Sequence, residues 1–183
     1  MASVLIPLAQ GCEELEAVTI IDLLRRAEIN VVTAGLDNGP VRCSRGTVLI
    51  PDTIIDDLGD QVFDMIVLPG GLPGADHLNA DQRIHHYLRD ISEAGGYTAA
   101  ICAAPKVLAS AGLLDGRKAT SYPGAITAEE LPRTDLLEDA VVQDDKIVTS
   151  RGPGTAMDFA LKLIELLEGE ERRKAVETPL LRS

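Results

Sequence analysis

In the stretch AAICAAP, residues 99–105, one cysteine stands where an apolar run stops and a proline-led segment begins. A tight strand-to-helix turn there would hold Cys102 in a strained backbone conformation with its sulfur projecting outward. Such a turn admits only small neighbours, and Ala100 and Ala104 flank it. A helix starting at Ala103 or Ala104 would aim N–H groups and its positive dipole end at the sulfur, which lowers the thiol pKa and favours a nucleophilic thiolate. The same residues equally fit a small apolar side chain packed among alanines, the commonest fate of a free cysteine. The local pattern leaves both readings open.

Other stretches supply partners for such a thiol. In GCEELE an acidic run opens a segment of helical spacing, and its charges suit a helix N-terminus. A carboxylate on the inward face of that helix, such as Glu16, would be costly to bury ionised and would tend to hold a proton that it can give to a nearby thiolate. The glycines of LPGGLPG, Gly70 and Gly71, either let the backbone pass close enough to offer an N–H to an oxyanion or form a plain turn. The stretch SRGPGT resembles an anion-binding helix start but lacks the Gly-Lys-Ser/Thr ending of a nucleotide-phosphate loop. Cys12, Cys43 and Cys102 are separated by 31 and 59 residues with no C-x-x-C pair, which fits neither a disulfide framework nor a zinc site. His85 and His86 read as a helix surface, and no metal is expected.

The elements that must position these groups alternate along the chain. SVLIPLA reads as a strand. EELEAVTIIDLLRRAE reads as a helix with apolar residues at Leu15, Val18, Ile20 or Ile21, and Leu24, and INVVTAGL as a second buried strand. Strand, helix and strand with short links imply a parallel pair with a right-handed crossover. PVRCSRGTVLIPDTIID breaks the pattern as a hairpin-like excursion. Alternation resumes with a strand at FDMIVLPGG, a helix at DQRIHHYLRDISEAG, a strand at YTAAIC and a helix at APKVLASAG. A strand near KATSY, a short helix at AITAEEL and paired strands at AVVQD and KIVTS follow. A long helix then runs to a stop at Gly169. This is an α/β pattern with a mainly parallel central sheet, in which ligands collect where strand ends meet helix starts. GCEELE, LPGG and the Cys102 turn all fall there.

At 183 residues the chain is expected to form one domain, residues 1–183, able to bury roughly 70% of its unfolded surface. Its 29 acidic against 17 basic side chains give a net charge of −12, which repels nucleic-acid backbones and anionic lipid. No apolar run approaches a membrane span, and MASVLIPLAQGCEE lacks the basic start of a secretory signal. The expected location is the cytoplasm.

Taken in order, GCEELEAV, RRAEINVVTAGL, RCSR, VLPGG, AAICAAP and TSRGPGTAMDFAL resemble the DJ-one/ThiJ/PfpI superfamily over nearly the full length. The resemblance implies a flavodoxin-like three-layer sandwich, a cysteine elbow and a homodimer. It implies Cys102 as the reactive cysteine and Glu16 as the acid beside it, with Gly71 and Ala103 as backbone donors. It also implies Arg45 reaching the site across the dimer interface, with Arg26 nearby. Cys43 would then lie near that interface and Cys12 near Glu16, neither with a catalytic role. One departure is TSYPG, where many members carry histidine and this chain has Tyr122. A phenol, neutral at neutral pH, does not replace imidazole as a base, which argues against a cysteine–histidine peptidase. The implied activity is cofactor-free conversion of methylglyoxal to lactate, with a related deglycase activity on glycated adducts. The alternative is an oxidative-stress sensor and chaperone whose Cys102 is oxidised to sulfinate.

Overall fold

The computed structural model describes residues 1–182. Strand β1 (Ser3–Leu8) feeds helix α1 (Glu14–Arg26), which returns to β2 (Asn30–Gly35). The excursion holds a hairpin of β3 (Val41–Arg42) and β4 (Val48–Leu49), then β5 (Thr53–Ile54). Next come β6 (Met65–Leu68), α2 (Gly74–Ala80), α3 (Gln82–Glu93), β7 (Tyr97–Ile101) and α4 (Pro105–Ser110). The chain then runs through β8 (Lys118–Ala119), β9 (Asp135–Leu136), β10 (Val141–Asp144), β11 (Ile147–Ser150), α5 (Ala156–Glu168) and α6 (Glu170–Glu177).

Seven strands form the central sheet in the order β10-β11-β7-β6-β1-β2-β5. All neighbours run parallel except β10 against β11. β3 with β4 and β8 with β9 are separate two-stranded pairs. Parallel strands covered on both faces are buried on both, and β6 is apolar and buried throughout. Alternation along each strand divides the interior into two cores. Val4 and Ile6 of β1, Met65 and Val67 of β6, and Ala99 and Ile101 of β7 face α1, α5 and α6. Leu5, Ile66, Leu68 and Ala100 face α2, α3 and α4. The three-layer α/β arrangement read from the sequence is the one observed.

Two local expectations are corrected, and two helices are new. α1 turns inward Glu16, Ala17, Ile20, Leu23 and Leu24, while Leu15 and Val18 are 52% and 44% exposed, so the buried stripe is offset from the one read from apolar residues alone. AITAEEL forms turns instead of a helix. Thr127 and Glu130 do make the reciprocal bonds of a helix opening, with Thr127 N–H donating to Glu130 and Glu130 N–H to the Thr127 hydroxyl, but Pro132 follows before a second turn can form. α2 and α6 were not read from the sequence. α2 has seven residues, and α6 buries only Val176, so neither carries a clear apolar period.

Candidate active site

The carboxyl ends of β1, β6 and β7 lie side by side, and the loops leaving them meet. β7 ends at Ile101, and Cys102 follows with φ +63°, a left-handed conformation that costs a residue bearing a Cβ about 1–3 kcal/mol. Two neighbours hold it there. Cys102 N–H donates to the Ser150 carbonyl at 3.0 Å, and Tyr122 N–H donates to the Cys102 carbonyl at 2.8 Å. The strained elbow that AAICAAP allows is present, although α4 starts at Pro105, one or two residues later than expected.

Glu16 reaches the same point from the first turn of α1. Glu13 caps that helix by accepting the Glu16 N–H at 2.8 Å, and Glu13 N–H donates in turn to the Gly70 carbonyl at 2.9 Å. The Glu16 side chain is fully buried. Its Oε2 accepts the Gly70 N–H at 2.9 Å, while Oε1 has no hydrogen-bond partner among the described residues. Gly70 is required by closeness: a Cβ there would lie 2.6 Å from the Cys102 Cβ, 2.7 Å from Glu16 Oε2 and 2.8 Å from the Ile101 carbonyl. Gly71, at φ +89°, would place a Cβ 2.5 Å from the Glu13 nitrogen. The glycine pair is thus a packing device for the acid and the thiol as well as a turn.

Burial is the largest influence on the carboxyl of Glu16 and pushes it up to about 7, against opposing hydrogen bonds from Cys102 and the Gly70 N–H. Burial, then the charge of Glu16, push the Cys102 thiol up to about 12, while the N–H groups of Gly71 and Ala103 pull the other way. The expected downward shift of the thiol is therefore overturned for the resting site. A six-residue helix and two amides do not outweigh burial beside a carboxylate. The two groups hold one negative charge between them, and it rests on Glu16 above about pH 7.

Glu16, Gly71, Cys102 and Ala103 are brought together; the arginines are placed differently. Arg45 lies in the hairpin turn between β3 and β4, where its N–H donates to Glu14 at 3.0 Å and its side chain is exposed. Arg26 sits in the last turn of α1, ten residues and about 15 Å along the helix axis from Glu16, paired with Asp22. Within one chain it does not approach Cys102. Cys12 turns toward Cys43, Sγ to Sγ 3.6 Å. Glu14 is a site-edge residue that sequence reading missed. It accepts from the N–H groups of Arg45 and Thr47 and from the Ser44 hydroxyl, fixing the hairpin against α1. Its place in the first helical turn was visible, but its partner loop was not. The SRGPGT turn is closed on itself, with Ser150 Oγ 2.7 Å from Thr155 Oγ1 and Gly152 N–H donating to Thr155 Oγ1 at 3.1 Å. Among the described residues no group of His, Cys, Asp and Glu is placed to hold a metal ion.

A buried acid beside an elbow cysteine, with amides facing the sulfur, can add a thiol to an electrophilic carbon and move protons about the adduct. Comparison with known proteins supports a definite relationship. The sequence profile of the DJ-1/PfpI family matches residues 2–166. Protein dj-1beta of Drosophila melanogaster is 43% identical over 181 residues, covering 98% of this chain and 96% of its own length. Its crystal structure superposes with a TM-score of 0.93, covering 100% and 98% of the two chains. The glutathione-independent glyoxalase DJR-1.2 of Caenorhabditis elegans is 37% identical over 98% of this chain and 95% of its own. Oxidised DJ-1 of Toxoplasma gondii is 40% identical, with a TM-score of 0.92 and full coverage of both chains.

Proposed function

This chain belongs to the DJ-1/PfpI family, and on that premise we propose that it is a glutathione-independent glyoxalase turning methylglyoxal and water into lactate without metal or cofactor. The observation that carries this reading is the buried Glu16, with one unpartnered oxygen, beside the elbow thiol of Cys102. A relative bearing that activity as its name adds support.

The cycle starts with Glu16 ionised and Cys102 protonated. The sulfur bonds to the aldehyde carbon of methylglyoxal, and the thiol proton passes through Glu16 to the former aldehyde oxygen, giving a hemithioacetal. The N–H groups of Gly71 and Ala103 stabilise negative charge as it develops on that oxygen. Glu16 then removes the hydrogen on the bonded carbon, forming an enediol, and returns a proton to the neighbouring carbon. One carbon is oxidised and its neighbour reduced by the same electron pair, leaving a lactyl thioester. Water cleaves the carbon–sulfur bond, releasing lactate and restoring the thiol. Consumption of free aldehyde would also draw early glycation adducts back toward free amines, which accounts for an apparent deglycase activity.

We read the working form as a cytoplasmic homodimer of one domain spanning 1–183. Leu15 and Val18 on α1, with Val48 and Ile50 at the hairpin, form an apolar set at 44–85% exposure that a second copy would cover. Arg45 lies in the same hairpin, and three free cysteines fit a reducing compartment.

The test is lactate formed from methylglyoxal with chelator present and no glutathione. Wild type should yield many equivalents, with activity rising as pH passes about 7, where Glu16 becomes a base. Cys102→Ser should fall to background, and Glu16→Gln should lose about 10²–10⁴-fold. Stoichiometric product from wild type would reject the enzyme. It would favour the second reading, a sensor with chaperone behaviour in which two equivalents of hydrogen peroxide convert Cys102 to sulfinate and release water. The amides of Gly71 and Ala103 facing the sulfur favour that anion.

A further inference from the structure

The mechanism at Cys102 uses neither Cys12 nor Cys43, yet these two thiols face each other in the interior. Their sulfurs are 3.6 Å apart, and the residues are 0% and 5% exposed. The backbone on either side is already joined. Ser44 N–H donates to the Cys12 carbonyl at 2.8 Å, and Gly11 N–H donates to the Arg42 carbonyl at 2.8 Å. Glu14 clamps the following turn through the N–H groups of Arg45 and Thr47. A disulfide bond of about 2.05 Å asks the sulfurs to approach by about 1.5 Å more within that frame.

We propose that Cys12 and Cys43 form a second redox site, independent of Cys102, which closes to an intramolecular disulfide on reaction with a small disulfide of the glutathione type. Cys43, the more exposed of the two, meets the reagent first. Its sulfur bonds to one glutathione sulfur and the other leaves as the free thiol, taking the Cys43 proton. Cys12 then bonds to the Cys43 sulfur and expels the second glutathione as thiol, its own proton going with it. The protein pair loses two electrons and the glutathione disulfide gains them. Burial holds both thiols above their ordinary pKa values, so closure is slow at neutral pH. Cys12 immediately precedes the α1 cap Glu13 and packs against Gly71, so the bond ties the Arg45 hairpin to the backbone that offers an amide to Cys102.

The experiment uses the full chain carrying Cys102→Ser, incubated with glutathione disulfide, alkylated in denaturant and digested without reductant. The expected result is loss of both remaining thiols together, a mass decrease of two hydrogen atoms, a peptide linking Cys12 to Cys43, and reversal by reductant. Adding Cys12→Ser should leave Cys43 as a mixed disulfide with glutathione. Two thiols still free after prolonged incubation, or each cysteine carrying its own glutathione without a linked peptide, would overturn the proposal. The readout is thiol chemistry in a protein without Cys102, so it stands or falls separately from lactate formation. If Cys12→Ser fails to fold, the linked peptide decides alone.

Discussion

Two carboxylates, one beside the edge strand β5 and one over the central strands, carry opposite shifts, and the difference lies in how many donors each has. Asp52, beside β5, receives the Thr33 N–H at 2.9 Å, the Thr33 hydroxyl at 2.8 Å and the Arg25 guanidinium at 2.7 Å. Partial burial alone would raise it, but the donors from Thr33 and Arg25 outweigh burial and lower its pKa. Glu16 is fully buried, with the Gly70 amide on Oε2, the Cys102 thiol beside it and an unpartnered Oε1, and burial outweighs these donors and pushes it up. Asp52 fastens the start of β5 to β2, whereas Glu16 is left short of donors where a substrate atom could supply one. A carboxylate surrounded by donors serves the fold; one deprived of them is available for proton transfer.

The comparison is tested hardest at Glu16. Its folded pKa near 7 exceeds the ordinary 4.5, so the folded state binds a proton that the unfolded state has released. The contribution of Glu16 to stability therefore falls as pH rises from about 4.5 to 7 and stays lower above that, by about 3 kcal/mol. Glu16→Gln removes the buried charge. At pH 8 the variant should gain up to about 3 kcal/mol in urea unfolding while losing turnover, and the gain should vanish near pH 4. Equal stability of variant and wild type at both pH values would break the contrast.

Asp52 carries the smaller, opposite effect. Its folded pKa lies below its ordinary value, so its stabilisation is present above about pH 4 and is lost as pH falls through the folded pKa. Asp52→Ala should destabilise by about 1–2 kcal/mol at pH 7, a figure discounted for the half-exposed side chain, with turnover unchanged. The unfolding midpoint at neutral and acid pH, alongside a lactate assay, reads both. A fall in turnover matching the fall at Glu16 would mean that the two carboxylates do not act separately.

The smallest effect is expected at Tyr122. It touches the elbow through its main-chain N–H, and its ring lies against Gly152. Tyr122→Phe keeps both contacts, so turnover should stay within about twofold; a loss of the size of a general acid or base, about 10²-fold or more, would make the hydroxyl part of the chemistry. Kinetics at saturating methylglyoxal distinguishes the two.

The sequence was legible wherever one residue's neighbours in the chain are also its neighbours in space. The stop of α5 followed from Gly169 and the strand character of β1 and β6 from apolar runs, while the small residues around Cys102 allowed the elbow without deciding it against a packed core cysteine. It was less legible where polar residues face inward. Glu16 occupies the buried stripe of α1, so reading apolar residues alone set Leu15 and Val18 inward. The thiol's shift was misjudged because a helix start is visible in sequence, whereas the burial and facing charge that outweigh it come from residues far along the chain. The Cys12–Cys43 approach depends on where the β3–β4 hairpin folds back, which spacing does not record.

The elbow's tethers have a consequence in time. Cys102 is held by Ser150 and Tyr122, its acid comes from residue 16, and the glycines between them lie near residue 70. Such widely separated partners meet only once β1, β6, β7 and β11 have paired, and contacts of this range form late because loop closure opposes them. A nascent or half-folded chain therefore carries an ordinary thiol and an ordinary carboxylic acid, unacquainted with each other. Completion of the sheet brings them together, so any chemistry that needs both must wait for the finished fold.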